Sequence, residues 1–298
     1  MSRGIDVVPA PLLVFGGVVS VQFGGALAAS LIPEIGVGGA VFLRIAIAAV
    51  LLLALVRPGL RGHSRHAWGT VVAFGVALGL MNWSFYGALA HLPLGVAVTV
   101  EFLGPLVLTT VLSRRALDYL AVLAAGVGVL LISGALTEPW DELSWLGLLL
   151  AATAGAFWAA YIVLSGRTGV EFARLDGLAI ALAVSTVVVL PAGVTSVDRW
   201  TLDHVWQGLG LAVLSSLLPY SLELLALRRM AATVFGILLS LEPAVAAIAG
   251  FLVLDQRLAA LQVIGLGLVV LASTIVLGFG RGNDPQAEPG AAGRIEVS

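Results

Sequence analysis

Apolar residues run along this chain in long blocks rather than in alternation. AVLAAGVGVLLI at 121–132 is apolar on every face, so neither the helical period nor the strand period leaves a water-facing stripe on it. A bilayer presents ~30 Å of hydrocarbon, which about 20 mainly apolar residues cross at ~1.5 Å per residue. Ten stretches meet that length, at 12–32, 36–56, 67–90, 94–113, 117–136, 145–166, 174–193, 205–227, 232–254 and 258–279. A membrane barrel would alternate apolar and polar positions, and these stretches do not. The pattern predicts an all-α membrane protein with ten transmembrane helices. The first stretch follows Arg3 and contains Ala26-Leu27-Ala28, the outline of a cleaved leader. The arginine pattern below reads it instead as a retained first span.

Composition points the same way. The chain has 298 residues, 60% hydrophobic and only 11% charged, with a mean hydropathy of +1.08. Charges are too few to cover a water-soluble globule. Fifteen basic against seventeen acidic groups give a net charge of −2, which offers no basic face to nucleic acid. No cysteine occurs, so disulfides, thiol catalysis and thiolate metal sites are absent together.

All fifteen basic residues are arginine, and positive loops stay cytoplasmic. With the N-terminus inside, twelve fall on the cytoplasmic side: Arg3, Arg57, Arg61, Arg65, Arg114, Arg115, Arg167, Arg174, Arg228, Arg229, Arg281 and Arg294. Arg199 and Arg257 fall outside, and Arg44 lies inside a span. The expected setting is the plasma (inner) membrane with both termini cytoplasmic. Residues 281–298 are rich in Gly, Pro, Ala and charge and read as a disordered cytoplasmic tail.

A shift of 138 residues lays Trp68 on Trp206, Ala88 on Ala226, Leu89 on Leu227, Val96 on Val234 and Pro105 on Pro243. Each half, 11–136 and 145–279, holds five spans. An odd number makes the second copy run through the membrane upside down. Two inverted five-helix repeats are the plan of many secondary transporters, whose midplane site is exposed to each side in turn.

Arg44, Glu101, Glu223 and Glu242 are ionisable residues inside spans. A charge at the bilayer centre costs at least ~2.5 kcal/mol, so each needs a partner, a proton or a watery cavity. At helical rise Arg44 and Glu101 sit about 12 Å from the outer ends of their spans, near enough in depth to pair. Glu242 is about 15 Å from the inner end of its own, leaving the two glutamates about 3 Å apart in height. Glu223 lies nearer the cytoplasmic end, beside Arg228 and Arg229, where an interfacial ion pair explains it as well as a functional role does. Pro105 and Pro243 read as helix breakers that free the carbonyls of Glu101 and Leu239. Further candidate lining groups share helix faces: Ser216, Tyr220 and Glu223; Asn82 and Tyr86; Trp158 and Tyr161. Packing is the alternative for each aromatic.

Neither a phosphate-binding loop nor a metal set is found. His63 and His66 read as solvated groups in an Arg-rich loop. No span interior holds a histidine or an aspartate, which argues against a membrane-embedded enzyme. A channel or a non-transporting scaffold fits the composition too.

Four segments carry a family resemblance: PLGVAVTVEFLGP at 93–105, SRR at 113–115, LPYSLELLALRR at 218–229 and TVFGILLSLEPAVAAIAG at 233–250. Together they resemble the drug/metabolite transporter superfamily, most closely its EamA branch and the bacterial threonine and homoserine exporters. The similarity runs over about 11–279. It implies an inner-membrane protein that exports small amino acids or related metabolites against an inward proton flow. One departure stands out: the family commonly carries Gly-Glu near the end of the ninth helix, where this chain has Leu254-Asp255-Gln256-Arg257.

The mechanism expected from these readings has Glu101 and Glu242 lining a central cavity that holds a proton or a substrate ammonium but not both, which couples the two flows. Arg44 either neutralises Glu101 or holds the substrate carboxylate. Helices 4 and 9 rock against the other bundle. The partners expected are a small-molecule substrate, protons and the bilayer, with no cofactor and no metal; a homodimer is left open.

Overall fold

A computed structural model describes residues 8–113, 116–132, 144–173, 175–227 and 238–279. The tail at 281–298 and the loop arginines 114, 115, 174, 228 and 229 lie outside the described residues. Within them the chain is helical, with no strand. Its helices are α1 (Ala10–Val56), α2 (Arg65–Leu89), α3 (Leu94–Glu101), α4 (Leu103–Ser113), α5 (Ala116–Ile132), α6 (Trp145–Glu171) and α7 (Asp176–Val194). After them come α8 (Leu202–Ala212), α9 (Leu218–Leu227), α10 (Glu242–Leu254) and α11 (Ala260–Phe279).

Burial is inverted relative to a water-soluble protein. Val50, Leu55, Leu123, Leu149, Val187 and Leu252 are each more than 60% exposed, whereas Gln22, Arg44, Asn82, Glu101 and Glu242 are buried. Apolar residues outside and ionisable ones within is an arrangement only lipid makes favourable.

Among the described residues five helical runs are long and apolar enough to cross a bilayer, namely α1, α2, α6, α7 and Leu202–Glu223, and shorter apolar helices fall within the other expected spans. At 47 residues α1 is more than two bilayer widths long. It holds the first two expected spans, bent at Gly36, whose φ of 74° and ψ of 165° belong to a region open essentially to glycine. The fourth span breaks at Phe102 into α3 and α4. The eighth is α8 and α9 joined by a π-helical stretch, Val213–Leu217. In the ninth, of which 232–237 lie outside the described residues, helical residues 238–239 give way to a turn at 240–241 before α10 starts at Glu242.

The packing partners repeat in mirrored fashion. Helix α2 packs along α6 and α7, while α8 and α9 pack along α1; α3 and α4 meet α6, while α10 meets α1. Helices α5 and α11 pack on each other. At their crossing a Cβ on Gly128 would meet the backbone oxygen of Gly265, and one on Gly265 would meet that of Gly128.

The family departure at 254–257 has a local account. Asp255 takes a left-handed conformation (φ 52°) after α10, the position a glycine suits best. Gln256 turns back, and its Oε1 accepts from the Leu94 N–H at 3.0 Å, satisfying one of the unpaired donors at the start of α3.

The rims are also braced. At the α1 bend the Nε2 of His204 lies 2.8 Å from Glu34, and the Trp200 ring stacks on Phe42. At the opposite end His63 stacks on Phe172 at 4.1 Å, and Gly59 N–H donates to Asp176. His63 is therefore packed rather than solvated, while His66 is exposed as expected.

Candidate binding site

The local cause of the site is a proline. Pro219 carries no N–H and its ring clashes with the carbonyl four residues back, that of Ser215. The chain relieves this by widening into the π-helical stretch, in which Leu218 N–H reaches Val213 rather than Leu214. The released Ser215 carbonyl points inward and accepts from Arg44 Nη2 at 2.6 Å.

Arg44 comes from the second limb of α1 and is 6% exposed. Its Nη1 donates to Asn82 Oδ1 at 2.6 Å and to the Tyr86 hydroxyl at 3.2 Å. Its Nε donates to Ser216 Oγ at 3.1 Å, and the guanidinium carbon lies 5.6 Å from the Tyr86 ring centre. A guanidinium has five N–H groups, and these contacts use four. The expected Arg44–Glu101 ion pair does not form: among the described residues no carboxylate lies within 4.0 Å of Arg44. Neutral acceptors from α2 and the π-helical stretch hold the guanidinium instead.

Both buried glutamates stand at helix breaks. Glu101 is the last residue of α3 and Glu242 the first of α10. The expected mid-helix proline kinks are replaced by restarts, since Pro105 and Pro243 each occupy the first turn of a new helix, where an N–H would lack a partner anyway. The Glu101 carbonyl faces buried Gly155 of α6, which leaves room for it.

The Glu101 carboxylate is 8% exposed and makes no hydrogen bond to a described residue. It lies within electrostatic reach of Arg44. Glu242, 7% exposed, is approached by Gln22 Nε2 at 3.5 Å and feels the charges of Glu223 and Glu101. Glu223 sits against Gly17 of α1 and interacts with Tyr161 and Tyr220, so it belongs to this cluster. Tyr161 stacks on Tyr220 with centroids 6.5 Å apart and meets Phe74 at 5.3 Å. Trp158 takes its packing alternative, edge-on to Phe102.

The structure thus gathers Arg44, Asn82, Tyr86, Glu101, Tyr161, Tyr220, Glu223 and Glu242 into one polar interior. A narrow cleft lined by Leu52, Leu175, Leu178, Leu182, Ser216 and Tyr220 among others borders it. Three members went unread in the sequence. Gln22 is the one amide within the first span and was readable as an unpaired polar group. Ser215 and Pro219 follow from the same proline rule that drew attention to Glu101. Among the described residues no group of three or more His, Asp or Glu could hold a metal.

A family model described as the EamA-like transporter family matches residues 145–278. The threonine/homoserine exporter RhtA of Escherichia coli strain K12 is 36% identical over 256 residues, covering 85% of this chain and 86% of its own length. RhtA of Salmonella typhimurium strain LT2 is 35% identical over 260 residues with the same coverage. Protein PecM of Dickeya dadantii is 28% identical over 220 residues, covering 70% of this chain and 73% of its own. A protein solved by crystallography, 18% identical, superposes with a TM-score of 0.60 over 91% of this chain and 97% of that one, a likeness of fold.

Proposed function

This chain belongs to the EamA-like transporter family, and from that premise we propose that it exports small amino acids of the threonine and homoserine kind in exchange for inward-moving protons. The substrate class comes from the RhtA relatives, 36% identical over 256 aligned residues. The proton role rests on one observation: two buried carboxylates, Glu101 and Glu242, each at a break in its span, lie within electrostatic reach of each other.

A carboxylate in such a setting is stable when it holds a proton or faces a cation, because an uncompensated charge in a low-dielectric interior is expensive. A substrate ammonium and a proton therefore compete for the same oxygens. Export of one requires import of the other, which is exchange without a further machine.

Two inverted five-helix units, 11–136 and 145–279, supply the movement. The mirrored packing of α2 on α6 and α7 against α8 and α9 on α1 supports this reading, as does the 138-residue shift. Breaks in the fourth and ninth spans give the halves a place to flex around a fixed site. Both termini face the cytoplasm, on the arginine asymmetry.

The test is counterflow and pH-gradient-driven uptake in proteoliposomes. Glu101→Gln and Glu242→Gln are expected to keep substrate-independent folding but to lose pH-gradient-driven accumulation by at least about tenfold. Normal accumulation with an unchanged pH profile in both variants would falsify the assignment.

A further inference from the structure

We propose that Arg44 is the carboxylate anchor of this site, so that cargo is selected by its acid end: an α-amino acid passes, and the amino alcohol or amide with the same side chain does not. The inference rests on the amino-acid export reading and adds the group that reads the second charge of the zwitterion.

Cost is the first argument. Arg44 is 6% exposed, and no carboxylate of a described residue lies within 4.0 Å of it. A buried charge without a counter-charge is among the most expensive things a membrane interior can hold. If Arg44 only braced α1 against α2 and the π-helical stretch, a neutral amide would make similar bonds to Asn82, Ser216 and the Ser215 carbonyl at lower cost. The positive charge itself needs a reason.

Donor accounting is the second. Four N–H groups are spent on Ser216, Asn82, Tyr86 and the Ser215 carbonyl, leaving one on Nη2. Ser216 accepts from Arg44, so its own hydroxyl hydrogen remains to donate. Tyr220, within electrostatic reach of Arg44, brings another hydroxyl. One charged N–H, in a site that also holds these hydroxyl donors, suits a carboxylate, which accepts through two oxygens.

Rigidity is the third. Pro219 makes the Ser215 carbonyl available, so the bond that fixes Nη2 is written into the backbone and does not depend on a rotamer. A fixed positive pole, with Glu101 in electrostatic reach of it and Glu242 in reach of Glu101, is the complement of a molecule carrying an acid and an ammonium close together. Preorganised donors lose most when the ligand lacks the matching acceptor.

The experiment is counterflow with purified wild-type protein in proteoliposomes loaded with threonine, using threonine, threoninol and threonine amide as external competitors. Threonine is expected to compete at least about 100-fold better than either analogue, as for a site built around a charged group. In Arg44→Gln that ratio is expected to fall to within about threefold of unity, and in Arg44→Lys, which keeps the charge but loses the fork, to an intermediate value. Threoninol competing as well as threonine in the wild type overturns the anchor while leaving amino-acid export standing. No exchange of any amino acid overturns the export reading and the anchor with it. Should Arg44→Gln fail to fold, the wild-type competitor ratio decides alone.

Discussion

At the scale of single residues, function here depends on backbone made available by a side chain some turns away. Pro219 shows it most directly. Replacing it with alanine restores an N–H that would close on the Ser215 carbonyl, removing an interior proline that costs about 3 kcal/mol in a helix. The same change takes from Arg44 a charge-assisted bond worth about 1.5–3 kcal/mol. The two effects nearly cancel. Pro219→Ala is therefore expected to unfold in detergent within a few degrees of wild type yet to transport at least about tenfold more slowly, measured by parallel thermal melts and counterflow. A transport rate equal to wild type would remove the Ser215 carbonyl from the site.

The charged members of the cluster were readable from sequence because a charge deep in an apolar stretch is expensive enough to need a partner, whereas the aromatic members shared their helix faces but packing explained them as well. Arg44, Glu101 and Glu242 stand out at once by this criterion. Their bonding was not readable: equal depth suggested an Arg44–Glu101 pair, but depth says nothing of azimuth, and the guanidinium turns to Asn82, Tyr86 and the π-helical stretch. Gln22 and Ser215 carry no charge and share no helix face with another polar side chain, so the sequence pattern does not tie them to the cluster.

At the scale of helices, continuity was the weak point of sequence reading. Hydropathy measures length but is blind to a break with apolar residues on both sides, as at Phe102 and before Glu242. Proline placed both breaks roughly, and the structure turns its kinks into restarts. Close crossings make sharper predictions. Gly128→Ala and Gly265→Ala each drive a methyl group into the other helix's backbone, and each is expected to cost about 1–3 kcal/mol in thermal or denaturant unfolding. Gly126→Ala and Gly267→Ala, with open space at the same site, are expected to be neutral or to stabilise by up to about 1 kcal/mol. Equal losses at all four positions would mean the crossing is not tight.

The link between α10 and α11 offers a matched pair. Asp255→Gly relieves a left-handed residue and is expected to stabilise by about 1 kcal/mol. Gln256→Ala orphans the Leu94 N–H and is expected to destabilise by a similar amount. Both are read as shifts in melting temperature of the purified protein. Opposite signs are the signature; two losses would contradict the account of this turn.

At the scale of the whole molecule, the membrane reading followed from composition alone, and the outward apolar and inward ionisable side chains agree with it. Direction of insertion rests on twelve arginines against two. A phosphatase or fluorescent reporter fused after residue 280 is expected to report a cytoplasmic end, and an active periplasmic phosphatase there would reverse the topology.

The seam between α5 and α11 has a mechanical implication. Gly128 and Gly265 meet each other backbone to backbone, so neither helix can roll or slide along its neighbour without opening that contact. Whatever moves during a transport cycle, these two helices travel together as one strut.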